Sequence, residues 1–224
     1  MNNLPIYISL LFGLTTLLAI IGFYASIKSK KALVLIFLWT LIQTGLGLSG
    51  FYQDTTAMPP KIMLFGIFPA FVMVLLAVFS KRTKALVDQI DLRTLTYFHT
   101  IRIPVEVILS LLFHFGVMSV YITYEGTNFD LISGITAPLV AFVAFRGATV
   151  NKRLLLAWNI LGLMLLLNVV VTAIFAFPSP FQKLAFDQPN LAVLYYPFNL
   201  LPTVVVPLVL FGHLAAIKRL VKLG

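Results

Sequence analysis

The sequence predicts an all-α fold, a polytopic bundle of seven transmembrane helices with the N-terminus outside and the C-terminus in the cytoplasm. Three observations predict it. Of 224 residues, 60% are hydrophobic and only 10% are charged, whereas a soluble domain carries about a quarter charged residues. Seven apolar runs approach the ~20 residues that a helix needs to cross the hydrocarbon core. Finally, 14 of the 16 Lys and Arg fall on one side of those runs, and the positive-inside rule makes that side cytoplasmic.

The runs cover about 4–26, 33–50, 62–80, 100–123, 131–145, 154–177 and 194–217, within one integral-membrane domain, 1–224. Every backbone polar group must be satisfied inside its own span, so helices are the only sensible structure. The first run follows Met1-Asn2-Asn3, which has no basic n-region. It is therefore expected as a retained helix and not a cleaved signal. Lys28, Lys30 and Lys31 follow it, and Lys81, Arg82, Lys84 and Arg93 follow the third run. Between the third and fourth runs, residues 84–98 scatter Leu86, Val87, Ile90, Leu95 and Phe98 among charges. That pattern suits a short amphipathic helix on the inner leaflet, or an ordinary loop.

The fourth run carries the polar residues. At about 100° per residue, Arg102, Glu106, Ser110 and His114 step round a helix in small increments, and His99, Tyr121 and Glu125 share their sector. Ionisable groups at membrane depth are costly against lipid, so this face must turn to the bundle interior or to water. Arg102 and Glu106 are also i,i+4 partners, with Pro104 between them. The track is either a path for protons or a solute, or a buried ion pair and a hydrogen-bonded histidine that fix packing.

Asn159 and Asn168 on the sixth run, and Asn199 and His213 on the seventh, are expected to support the track. Such amides often serve as glue between membrane helices. The fifth run is short and interrupted by Gly134 and Pro138, and the seventh holds Pro197, Pro202 and Pro207. Runs one to three and five to seven both begin outside, and in each set the third member contains prolines. A 3+1+3 repeat of this kind is a transporter-like plan, although residue similarity between the sets is slight. Outside, Glu125, Asn128, Asp130 and Asp187 are candidates for an outer mouth binding a cation or polar ligand. The neighbouring tyrosines fit an interfacial belt.

No catalytic set, metal site or cofactor is expected. The chain has no Cys and three His. His99 and His213 could pair near Glu106, but His114 would then lack a histidine partner, which argues against metal or haem. The last run has no mid-span lysine for a retinal Schiff base. Neither a glycine-rich phosphate loop nor a Ser-His-Asp set is apparent.

Three strings, Arg102-Ile-Pro-Val-Glu106, the segment from Tyr124 to Pro138, and Phe186-Asp-Gln-Pro-Asn190, resemble those of a set of uncharacterised bacterial seven-span membrane proteins with no assigned activity. The resemblance covers chiefly the fourth run onward and implies a bacterial inner membrane. The expected function is permease-like or channel-like movement of a proton, ion or small polar solute along the fourth run. The alternative is a non-catalytic assembly, sensor or scaffold protein binding an envelope partner through its outer loops. A third reading is an enzyme acting on a lipid or a haem-bearing redox protein, which predicts a coloured or metal-containing preparation. Expected partners are the lipid bilayer, a small polar solute or ion, or another membrane protein. Nucleic acid is not among them.

Overall fold

The computed structural model describes residues 4–222. Met1, Asn2 and Asn3, on which the retained-helix expectation rests, lie outside the described residues, as do Leu223 and Gly224. All regular structure among the described residues is helical. In chain order it comprises α1 (Ile6–Ile27), α2 (Lys30–Leu48), a π segment (Met63–Ile67) leading into α3 (Phe68–Phe79), α4 (Lys84–Gln89), α5 (Leu92–Phe98), α6 (Arg102–His114), α7 (Asp130–Phe145), α8 (Lys152–Phe175), and a second π segment (Leu201–Val205) leading into α9 (Val206–Lys222).

Among the described residues five helical stretches are long and apolar enough to cross a membrane: α1, α2, Leu92–His114, α8 and Leu201–Lys222. The helix Met63–Phe79 passes only together with Lys81–Gln89, from which it bends by 66°, and α7 is apolar but shorter. The outward faces of α1, α2, α7 and α8 expose Leu, Ile, Val and Phe, among them Leu10, Leu38, Leu139 and Leu161. An apolar surface this extensive suits contact with lipid better than with water. The core gathers round α9, which buries residues on all sides, and joins it to α1, α5 and α6.

Local chemistry explains the helix ends. Ser29 caps α2 by accepting from Ala32 N, Asp91 caps α5 by accepting from Arg93 N and Thr94 N, and Asn151 caps α8 by accepting from Leu154 N. Each cap satisfies an N–H that has no partner within its helix.

The fourth apolar run differs from expectation at both ends. Helix starts at Leu92, so the second half of the expected surface helix is the entrance to this segment. Only Lys84–Gln89 remains a separate short helix. A 3-10 turn at His99–Ile101 joins α5 to α6. Pro104 lies in the first turn of α6 and has no N–H to offer the Thr100 carbonyl, which accounts for the tightened turn just before it. Helix then stops at His114 instead of continuing to 123. Gly116 adopts φ 72°, its N–H reaches Phe113 O at 2.9 Å, and Val117 N reaches Leu112 O at 3.1 Å. That is a Schellman stop, which needs a left-handed residue. Tyr121 and Glu125 therefore belong to a loop and not to the helix.

The two ends of the bundle are tied differently. At one end Asp91 N bonds Ser26 O, Lys218 Nζ donates to Val78 O, and Lys222 pairs with Asp88 at 2.6 Å. At the other, Asn190 Oδ1 accepts from Ser119 N, and Gln188 Nε2 donates to Phe113 O and Met118 O. Asp54 pairs there with Lys61 at 2.9 Å.

The two π segments match in position. Pro59 is followed by Met63–Ile67 and then Pro69, and Pro197 by Leu201–Val205 and then Pro207, with the same spacing. Pro69 and Pro207 have no N–H to give to the carbonyls of Phe65 and Thr203, four residues earlier. Two side chains of α2 satisfy those carbonyls instead. Gln43 Nε2 donates to Phe65 O at 3.2 Å, and Trp39 Nε1 donates to Thr203 O at 2.8 Å. One helix thus clamps both irregular segments.

Candidate functional site

The polar face of Leu92–His114 points inward over most of its length. His99, Arg102, Glu106 and Ser110 are all buried, whereas the His114 side chain is 60% exposed. The track is therefore divided into an inner cluster and an outer end.

The inner cluster has Arg102 at its centre. Its guanidinium pairs with Asp130, on the first turn of α7, at 2.9 Å, with the two side chains 3% and 8% exposed. The i,i+4 pairing with Glu106 expected from spacing is replaced by this contact between helices. Glu106 Oε1 instead accepts from Asn128 Nδ2 at 2.5 Å, and Asn128 Oδ1 accepts from Asp130 N at 2.9 Å. Asn128 also donates to Ile122 O. It thus holds both carboxylate-bearing elements at once, one through its side-chain amide and the other through the backbone.

On the other side of Arg102, Gly162 O lies 3.5 Å from both terminal guanidinium nitrogens. Gly162 is also where α8 meets His213, since a Cβ there would lie 2.6 Å from Cε1 of the ring. His213 stacks on His99 with ring centroids 3.9 Å apart, and its Nδ1 is 2.9 Å from Asn159 Oδ1. Trp158 packs edge-on to His99 and donates from Nε1 to Thr136. His99 Nδ1 and Nε2, Glu106 Oε2, Arg102 Nε and His213 Nε2 are buried and have no hydrogen-bond partner among the described residues. Buried polar atoms without a partner are uncommon in folded proteins.

A cavity of about 120 Å³ reaches this cluster. Met63 and Ile67 of one π segment and Leu201 of the other line it, with Leu109 and Leu166 completing its apolar wall. Glu106 and Asp130 are the charged residues on its lining. Ile122, Phe177 and Asn190 place its far end beside the loops 115–129 and 176–200.

The residues expected at an outer mouth do not form one site. Asn128 and Asp130 are buried in the inner cluster. Glu125 accepts a hydrogen bond from Ser110 Oγ and lies 3.6 Å from His114 Nδ1, which also meets Ser110 O at 2.9 Å. Asp187 is exposed on the long loop. Of the supporting residues, Asn159 and His213 join the inner cluster, while Asn168 donates to Thr127 O on the exposed surface. Asn199 belongs to a second polar knot, donating to Gln43 O at 2.8 Å. There Tyr52 donates to Gln43 Oε1, and burial pushes its phenol up to about 12 although that hydrogen bond opposes the shift. Sequence reasoning reads Trp39 only as a mark of the 3+1+3 repeat, and misses Tyr52 and Gly162. An isolated glycine in a Leu-rich helix was the available signal for the last.

Stacked imidazole faces do not converge their nitrogens on one point. Among the described residues no three His, Asp or Glu are grouped to hold a metal ion. The arrangement gathers two carboxyl groups, a guanidinium and two imidazoles in the interior of the helical bundle.

No curated protein and no solved structure matches the chain. A family model described as "Domain of unknown function (DUF8737)" matches residues 59–221, which contain both π segments, the charge cluster and the cavity above it, and the chain belongs to that family.

Proposed function

We propose that this chain is a seven-span, permease-like protein of a bacterial inner membrane that moves protons through the Arg102–Asp130–Glu106 cluster. Its N-terminus would lie outside and its C-terminus in the cytoplasm. One observation carries the reading: the cavity between two matching π segments ends on Glu106 and Asp130. Broken helices at corresponding places in two halves are the best structural pointer to a transport site, and π segments recur at functional sites.

Seven spans follow if α7 and the bent helix after Pro60 are counted with the five longer stretches. On that count the basic connections gather at one end, which the positive-inside rule assigns to the cytoplasm. Asp130, Glu106 and the cavity then face the outer half, and His99 and His213 the inner half.

A proton suits the site better than an ion or a polar solute. Apart from Glu106, Asp130 and Asn190 the cavity lining is apolar, so a hydrated ion would lose its water for too few ligands to replace it. A proton needs only titratable groups to bind, and the cavity offers the carboxyl groups of Glu106 and Asp130, bridged through Asn128. The test is proton flux in proteoliposomes carrying an internal pH dye. Flux should be lost in Glu106→Gln and retained in His114→Ala. Flux unchanged in Glu106→Gln would sink the reading.

The second reading, docking of an envelope partner by the outer loops, draws on Phe181 and Phe186, which are 59% and 72% exposed. It predicts that Phe181→Ser with Phe186→Ser abolishes co-purification of a partner while leaving flux intact.

A further inference from the structure

A second and larger cavity, of about 380 Å³, lies on the opposite side of α9, between α1, α2 and α3. It exists because α2 stands away from the bundle: along its length only Gln43 and Gly47 are buried. Its walls are apolar, built from Phe23, Ile36, Met73, Val74, Leu208 and Phe211. Its end, by contrast, is polar and of one sign. Lys31 and Arg82 are the charged residues that line it, joined by the hydroxyl-bearing Ser29 and Thr83, and among the described residues no Asp or Glu contributes to the lining.

The basic end lies where α1 passes into α2 and where α3 ends. Ser29 is also the N-cap of α2, a helix of 19 residues, and a helix N-terminus favours an anion beside it. Two cations, a helix start and an absence of acidic lining thus select an anion at one end of an apolar slot.

The slot also has a definite length. From Lys31 at the rim to Trp39, where the α2 side chain closes it against Thr203 O, the helix rises about 12 Å. One leaflet of the hydrocarbon core is about 15 Å deep. The volume falls in the range of about 300–1,000 Å³ typical of small-molecule sites.

We infer that this groove is a binding site for an anionic phospholipid of the inner leaflet, with its phosphate between Lys31 and Arg82 and one acyl chain along Phe23, Met73 and Leu208. The inference rests on the chain spanning a bilayer but not on proton movement. The head would be held by charge and the helix start, the chain by burial against α1, α3 and α9. Because α9 and its π segment form one wall of this groove and one wall of the proton cavity, an occupied groove would brace the same helix that closes the proposed site.

The test uses the full chain purified in detergent, stripped of lipid and titrated with phosphatidylglycerol or phosphatidylcholine under native mass spectrometry. Phosphatidylglycerol should bind roughly thirty-fold more tightly, about fivefold for each cation. That preference should vanish in Lys31→Gln with Arg82→Gln, two exposed positions whose change leaves the melting temperature in place. Ala77 of α3 also lines the groove, so Ala77→Phe should fill it and displace both lipids while the charge variant keeps weak binding of each. Equal affinity for the two lipids in the unaltered chain would overturn the inference. So would an undiminished preference in the charge variant, retention of inorganic phosphate alone, or a protein dimer that excludes lipid. None of these readouts depends on flux, so failure of the proton reading leaves this result standing.

Discussion

Consider the Arg102–Asp130 pair and the substitution Asp130→Asn. The two groups are 2.9 Å apart with side chains 3% and 8% exposed, so neither has water to fall back on. Removing one charge of a buried pair leaves the other uncompensated, which costs about 3–5 kcal/mol. Glu106, also in the cluster, supplies some compensation and puts the expected loss near the lower end, at about 3 kcal/mol. For a protein of this size that is a fall of about 6–12 °C in melting temperature. The double substitution Arg102→Met with Asp130→Leu removes both charges and both desolvation costs, and Glu106, left without a cation, becomes neutral by taking up a proton. It should be nearly neutral, or even stabilising by about 1–4 kcal/mol. Melting is followed by tryptophan fluorescence in detergent, and proton flux by a pH dye in proteoliposomes. The expected result is a single variant that is destabilised and a double variant that is folded but passes no protons. A folded double variant with undiminished flux would refute the reasoning, because the pair would then serve only packing. A single variant that melts within a degree of the unaltered chain would show that the pair is more hydrated than its burial implies.

Other expectations follow from particular contacts. Gly162→Ala places a methyl 2.6 Å from His213 Cε1, so it should cost about 1–3 kcal/mol through overpacking; an unchanged melting temperature would mean that the ring can step aside. The chain has no Cys, which makes single-cysteine labelling clean. His114→Cys and Tyr121→Cys should react with an impermeant thiol reagent from outside, Ser110→Cys slowly, and Glu106→Cys not at all, following their burial. Rapid labelling at position 106 would instead reveal a wide aqueous path. On the exposed loop, the hydrogen bond from Lys61, helped by Thr56, lowers Asp54 from 3.8 to about 2. A depressed carboxylate contributes its stabilisation above its unfolded value and loses it as pH falls through the folded one. The clamp should thus be intact at neutral pH and released between about 4 and about 2. Carboxyl NMR should show Lys61→Gln returning Asp54 toward 3.8, and an unmoved titration would remove Lys61 as the cause.

Much of the helical plan was legible because it rests on composition and run length. The charges of the fourth run were legible too, since His99, Arg102, Glu106 and Ser110 share a face at helical spacing wherever the helix begins. The helix ends were not. Asp91 is one acid among charged neighbours until its carboxylate is seen accepting from Arg93 N and Thr94 N, and Gly116 looks like any glycine until its φ of 72° closes a Schellman turn. Missing that stop made the loop residues Tyr121 and Glu125 seem part of the track.

The pairing within the site was hidden for a different reason. Spacing along one helix offers Arg102 only Glu106, whereas its true partner, Asp130, arrives from α7 with Asn128 bridging the two carboxylate-bearing elements. By itself the sequence determined that this chain is helical and apolar, where its charges concentrate, and which face of one helix is polar. Those properties are set by transfer free energy and helical period, and both are local. Tertiary structure decided which carboxylate meets Arg102, that His99 stacks on His213, and that the matched proline-freed carbonyls of Phe65 and Thr203 are both satisfied by α2. These outcomes depend on how the helices pack together, because a buried polar group takes whichever partner the packing brings within reach.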